Sequence, residues 1–187
     1  MQHIVQFTGL SGVGKTTLAA LASEKLIALG YKVVVLDGDD LRKTLSADLG
    51  FSKADRLEHL RRLAHLANET DADVVLLAVI NPYRATRAYF SENCGARLVW
   101  LRCALDVLRQ RDTKGLYARA ALPAGHPDRL ANLTGVNDPY EEPIDADLVI
   151  DTGTDALENS AAQLASYLTS LLNSNPASRL LTETLPT

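Results

Sequence analysis

Short runs of β-branched and aliphatic residues recur along the chain, separated by longer stretches with helical spacing. Ile4 to Phe7, Val33-Val34-Val35-Leu36 and Val74-Val75-Leu76-Leu77 are largely continuous rather than alternating. Such runs predict strands near 3–8, 32–36, 73–79, 97–102 and 147–150 that are covered on both faces. Between them, Leu18 to Leu29 forms an amphipathic run, and Leu57, Leu60, Ala64 and Ala67 make one stripe of a helix over 53–70. A short helix is expected over 105–112, and a last one over 155–173 presents Leu157, Ala161, Leu164, Leu168 and Leu171 to a core. This alternation predicts an α/β fold of three layers, with a central parallel five-stranded sheet between helices. Periodicity lapses from Asp112 to Pro143, a stretch carrying Lys114, Arg119 and Arg129, which predicts a lid segment over a ligand. At 187 residues the chain fits one domain, 1–173, and the tail 174–187, with Pro176 and Pro186, is expected to be loosely ordered.

Between the first strand and the first helix stands Gly9-Leu10-Ser11-Gly12-Val13-Gly14-Lys15-Thr16-Thr17, a P-loop in strand-to-helix context. A polyphosphate needs many donors and close backbone approach. The glycines let main-chain N–H groups turn inward, and the helix beginning near Lys15 adds the positive end of its dipole. Lys15 can then reach the β and γ phosphates of ATP, and the Thr16 hydroxyl can ligate Mg2+.

The carboxyl edge of such a sheet is its ligand rim. Two further sequences fall on it. After the second strand comes Asp37-Gly38-Asp39-Asp40-Leu41-Arg42, either a functional acidic turn or a solvated loop in which Asp39 or Asp40 caps the next helix. After the third comes Ile80-Asn81-Pro82-Tyr83-Arg84, where Asn81 as cap and Pro82 as first helical residue would explain the pair. Beside Gly50-Phe51, Arg56 is either an anion-binding fork or part of a solvated basic face.

Charge narrows the partners. With 19 Lys plus Arg against 23 Asp plus Glu and no block of one sign, neither a nucleic-acid nor a membrane-surface partner is expected. Two cysteines, Cys94 and Cys103, lack metal-ligand or disulfide-framework spacing, so a reduced, cytoplasmic location is expected. No basic-then-apolar leader and no bilayer-length apolar run is read in the chain.

Taken together, the P-loop, Leu36-Asp37-Gly38-Asp39-Asp40-Leu41-Arg42, Leu49-Gly50-Phe51-Ser52 with Asp55-Arg56, and Pro82-Tyr83-Arg84 resemble the adenylylsulfate kinase family of P-loop nucleotide kinases. Arg111-Asp112-Thr113-Lys114-Gly115-Leu116-Tyr117, Thr134-Gly135-Val136-Asn137-Asp138-Pro139-Tyr140-Glu141 and Ile150-Asp151-Thr152-Gly153 continue the match, so it spans roughly 5–155. The resemblance implies transfer of the γ-phosphoryl of ATP, with Mg2+, to the ribose 3'-hydroxyl of adenosine 5'-phosphosulfate in sulfate assimilation. It implies that Gly9 to Thr17 bind ATP and that Lys15 and Asp39 are catalytic, Asp39 as base or metal-shell carboxylate. It further implies that Asp37, Asp39, Arg42, Phe51, Arg56, His59, Ile80, Lys114 and Leu133 contact the acceptor nucleotide, with Phe51 stacking on adenine. As members of the family are often dimeric, it implies a homodimer too.

Four positions depart from the family pattern: Asn81 for a serine that some members phosphorylate, His59 and Asp40 for asparagines, and Leu133 for a phenylalanine on one face of the adenine. Asn81 cannot carry a phosphoryl group, so transfer would be direct. All four lie by the acceptor side in this reading, which keeps open a related kinase acting on another nucleotide-linked anion or a small alcohol. A nucleotide switch is the alternative of a different class; the chain has no Asn-Lys-x-Asp guanine-reading motif.

Overall fold

A computed structural model describes residues 2–174, so the expectation for the tail beyond Ser174 falls outside the described residues. Five parallel strands, β1 (His3–Thr8), β2 (Val33–Asp37), β3 (Val74–Ala78), β4 (Arg97–Arg102) and β5 (Leu148–Asp151), pair in the order β2-β3-β1-β4-β5. Strand direction and position agree with the expectation to within one residue at each end. Register explains why the apolar runs are unbroken. Val5 and Phe7 of β1, with Val74 and Leu76 of β3, face one core. Ile4, with Val75 and Leu77, faces the other. Each sheet face therefore needs its own hydrophobic set.

The first core lies under α1 (Lys15–Ala28), α5 (Leu105–Arg111), α6 (Leu116–Ala120) and α7 (Leu157–Asn173). The second lies under α3 (Lys53–Glu69) and α4 (Arg84–Cys94). A short helix, α2 (Gly38–Lys43), follows β2 directly. On α3, the Ser52 side chain accepts from the Asp55 N–H while Asp55 accepts from the Ser52 N–H, a reciprocal cap that fixes the helix start. Among the described residues no helix is long and apolar enough to cross a membrane.

Two cap assignments are corrected. Asp37, not Asp39 or Asp40, caps α2, its Oδ1 accepting from the Asp39 N–H at 2.8 Å and the Asp40 N–H at 3.3 Å. The strand runs straight into the helix, so the last strand residue is the one left with extended backbone, and it takes the cap. Asn81 does not cap α4, and Pro82 is not its first residue; the helix starts at Arg84 after Tyr83. Asn81 is instead 1 % exposed with φ of 43°. Its amide is consumed inward, Nδ2 donating to Gln6 Oε1 at 2.7 Å and Oδ1 accepting from the Thr86 hydroxyl. A buried amide must be satisfied locally, and asparagine tolerates the left-handed turn this requires.

The stretch 112–143 is less irregular than its pattern suggests. Asp112 accepts from the Tyr117 N–H at 3.0 Å and the Ala118 N–H at 2.9 Å, nucleating α6. Tyr117, Ala120 and Leu133 then bury themselves in the first core. Five residues of helix are too few to show a period, which is why the sequence reads as loop.

Candidate active site

Five chain segments at the carboxyl edge of the sheet line a cavity of about 340 Å³. The P-loop forms one end, contributing Ser11, Gly12, Gly14, Lys15, Thr16 and Thr17. Gly9, Leu10 and Val13 do not line it; Val13 is 1 % exposed in the core, Leu10 packs against the same core, and Gly9 shapes the loop. At Gly9 a Cβ would lie 2.5 Å from the Leu101 carbonyl oxygen, and φ is 151°, so any side chain would push the loop off β4. Helix α1 begins after Gly14 with no side-chain cap, leaving its first N–H groups directed at the cavity end.

The charged groups along the cavity are held by one another. Lys15 Nζ donates to the carbonyls of Gly9 and Leu10 at 2.9 and 2.8 Å. Burial lowers its pKa to about 8, against the opposing attraction of Asp39 and Asp37. The Thr16 hydroxyl donates to Asp37 Oδ2 at 2.6 Å, so one carboxylate both caps α2 and touches the first turn of α1. Across the gap, Lys114 Nζ donates to Asp39 Oδ2 at 2.8 Å. Burial at the rim pushes the Asp39 carboxyl up, but the Lys114 bond and the charges of Lys114, Lys15 and Lys43 outweigh it and hold the pKa below the ordinary value. Asp39 is thus fully ionised at neutral pH. Lys114 is shifted upward chiefly by the same bond.

The far end is built by α2, α3 and the end of β3. Phe51 is 59 % exposed, with the Arg42 guanidinium 5.0 Å from its ring centroid and donating to the Gly50 carbonyl at 2.8 Å. Ile80 and His59 also reach the wall, as do Gly38 and Thr113, which the sequence did not mark. Neither of those last two carries a functional group distinctive enough to be singled out. Tyr117 was not marked either; its hydroxyl donates to the Ser11 carbonyl at 2.8 Å and pins the P-loop from outside the cavity.

Two expected acceptor contacts sit elsewhere or are otherwise engaged. Leu133 is 5 % exposed within the first core and is not part of the cavity wall. A larger ring there overpacks, so Leu133→Phe is expected to cost about 1–3 kcal/mol in denaturant unfolding without tightening any acceptor. Arg56 borders the cavity, yet its guanidinium is spent on the chain: Nε on the Phe51 carbonyl at 3.1 Å, Nη1 on Thr134 Oγ1 at 3.1 Å, Nη2 on the Asn132 carbonyl at 2.8 Å. Asp138 completes this set at 3.4 Å. Arg56 therefore clasps the 132–138 segment to α3. Arg56→Met is expected to lower stability by about 2–4 kcal/mol and to open 130–140 to limited proteolysis, because several charge-assisted bonds go at once. Of the other cations expected over the site, Arg119 turns to the Asp128 carbonyl at 3.2 Å, within its own segment. Only Lys114 of the three reaches into the site wall.

The donor set suits a magnesium ion. Mg2+ in phosphoryl-transfer sites takes one or two carboxylates or hydroxyls, and phosphate and water oxygens supply the rest. Thr16 Oγ1 and Asp37 stand 2.6 Å apart at the P-loop end, with Asp39 two residues on. No group of three or more His, Cys, Asp or Glu that could hold a metal alone occurs among the described residues.

Known proteins match this arrangement. The adenylylsulphate kinase family model matches residues 1–151. An adenylyl-sulfate kinase of Halothermothrix orenii is 44% identical over 168 residues, covering 88% of this chain and 88% of that protein. A probable bifunctional SAT/APS kinase of Sorangium cellulosum is 41% identical over 90% of this chain, which spans only 29% of it. The structure of Mycobacterium tuberculosis APS kinase CysC in complex with AMPPNP and APS superposes with a TM-score of 0.80 at 39% identity, covering 90% of this chain and 98% of that one. With the P-loop, the acidic turn and the clasped 112–143 segment meeting at one cavity, the chain belongs to the adenylylsulfate kinase family and is a kinase.

Proposed function

We propose that the protein phosphorylates the ribose 3'-hydroxyl of adenosine 5'-phosphosulfate at the expense of ATP, releasing 3'-phosphoadenosine 5'-phosphosulfate and ADP. The observation that carries this reading is the two-ended cavity: amides and Lys15 at one end, an aromatic face backed by Arg42 at the other, and Asp39 between. The relative bound to AMPPNP and APS supports the same pair of ligands.

In the proposed reaction the acceptor oxygen attacks the γ-phosphorus in line, and the bond to the β–γ bridging oxygen breaks. The transition state is loose, so the protein contributes position and charge more than proton abstraction. Lys15 leaves the Gly9 and Leu10 carbonyls for the β and γ oxygens. Thr16 and Asp37 would hold Mg2+, which neutralises phosphate charge when bound. Asp39 accepts the hydroxyl hydrogen, orienting a lone pair toward phosphorus. A carboxylate is a weak base but a dependable hydrogen-bond acceptor, which suits late proton loss. Lys114, released from Asp39, is free to move to phosphoryl or sulfate oxygens.

A different acceptor is the second reading, motivated by His59 and Asn81 at the wall. The other two departures do not speak for it. Asp40 faces outward in an exposed pair with Lys43 at 2.7 Å, and Leu133 is buried in the core. Purified enzyme with MgATP and a panel of adenylated, guanylated and non-nucleotide alcohols, assayed for ADP and phosphorylated product, separates the readings. Highest kcat/KM on adenosine 5'-phosphosulfate is expected; no turnover of it, with turnover of another alcohol, would overturn the proposal. Whether the protein works as an oligomer is addressed by sedimentation in the same samples, a dimer being expected.

A further inference from the structure

The wall residue His59 is hydrogen-bonded to the protein through one ring nitrogen and lies beside Gly38 with the other. It is 4 % exposed on α3, and its Nδ1 lies 2.9 Å from the hydroxyl of Ser46, which is fully buried. Its Nε2 faces Gly38; a Cβ built there would lie 3.6 Å from that nitrogen and only 2.8 Å from Val79 Cγ1. Gly38 opens α2, and Ser46 stands three residues past its end. Between those two points lie Asp39 and Arg42. Beyond its Asp37 cap and the packing of Leu41, the short helix has little to fix it from within: one turn and a half is marginal alone, and its own outward pairs, such as Lys43 with Asp40, are exposed. From the same face of α3, Arg62 grips the outer side, donating to the Leu45 carbonyl at 2.9 Å and to both Asp48 oxygens at 2.6 and 2.8 Å.

We propose that His59 is a positioning residue: a strut from α3 that braces both ends of the acidic turn and so sets the distance of Asp39 from the P-loop. It acts through Gly38 and Ser46, not by touching the transferring group. Burial lowers the imidazole pKa to about 4, helped by Arg42, while the Gly38 backbone works in the opposite direction, as a carbonyl facing a ring N–H does. One nitrogen then donates toward Gly38, and the other accepts from the Ser46 hydroxyl. A single planar ring spans a gap that an asparagine or glutamine amide cannot span from both sides.

That difference supplies the test, which rests on the acceptor reading above and uses whichever acceptor the panel identifies. Asparagine places its amide near Nδ1 and keeps the Ser46 side; glutamine reaches about as far as Nε2 and keeps the Gly38 side. His59→Leu is expected to lower kcat by about 10–100-fold, with MgATP affinity and acceptor KM within about threefold, since small misplacement of a reacting group costs that much. His59→Gln should recover most of kcat and His59→Asn much less, because Gly38 adjoins Asp39. Ser46→Ala should lose less than His59→Leu and add nothing on top of it. MgATP titration by calorimetry confirms that each variant is folded. A His59→Leu enzyme with kcat within twofold of wild type would overturn the proposal. So would a loss confined to acceptor KM, which would mean that His59 contacts the acceptor directly, or additive losses in the double variant. Failure of the acceptor reading shows separately, as wild-type enzyme inactive on adenosine 5'-phosphosulfate.

Discussion

Asp39→Ala is expected to lower turnover by about 10²–10⁴-fold while MgATP affinity stays within about threefold. The carboxylate stands at the cavity rim, bonded at 2.8 Å to Lys114, and contacts no part of the P-loop through a hydrogen bond of its own. Loss of its charge leaves the amide cradle and Lys15 intact. Steady-state ADP release with acceptor present, beside a calorimetric MgATP titration, reads both quantities. Turnover within tenfold of wild type would remove Asp39 from the chemistry. A parallel loss of MgATP affinity would instead place it mainly in metal binding. Fold stability should barely move, since the Asp39–Lys114 pair is mostly solvated, with 70% of the Asp39 side chain exposed.

Lys15→Met is expected to cost on the order of 10²–10³-fold in kcat and to weaken the triphosphate, because a preorganised cation over the β and γ oxygens is lost. The nucleotide-free protein should not be destabilised. A half-buried lysine whose pKa desolvation has lowered to about 8 is an incompletely compensated charge, and an apolar side chain of similar length relieves it. Activity lost at unchanged or raised Tm is therefore the expected signature, and a large fall in Tm would contradict it. The same shift sets a pH dependence. Between pH 8 and the ordinary lysine value of 10.5 the unfolded chain holds more of this proton than the folded one. Lys15 thus makes the nucleotide-free protein gain stability as pH rises through that window. Triphosphate binding needs the charged form, so affinity should fall over the same window. Near pH 8, binding should take up about half a proton, measurable by calorimetry in buffers of different ionisation enthalpy. No uptake would mean that Lys15 is already fully charged.

Much of the architecture was legible because its signals are local. Unbroken runs such as Val74-Val75-Leu76-Leu77 have two sheet faces to cover, and the observed burial of every residue of β3 follows. The P-loop was legible for a similar reason: glycine spacing, lysine and threonine act within a few residues of one another. Local pattern misled where a short polar residue had two uses. Asn81 before Pro82 reads as a cap, but the fold buried it and spent its amide on Gln6, 75 residues away. Arg56 read as an anion fork or a solvated charge. Its partners, Asn132 and Thr134, lie 76 and 78 residues further on and belong to no pattern with it.

By itself, the amino-acid order determined the layer plan, the phosphate cradle and the family, since periodicity, turn chemistry and motif spacing are written within single segments. Tertiary packing decided which polar groups remain free to meet a ligand. Asp37 became cap and hydroxyl partner at once, Arg56 became a clasp, Leu133 went to the core, and His59 was wedged between Gly38 and Ser46. Those outcomes turn on buried donors and acceptors finding partners across the chain, and an unpaired polar group costs too much in a dry interior for its fate to be settled by its neighbours in sequence.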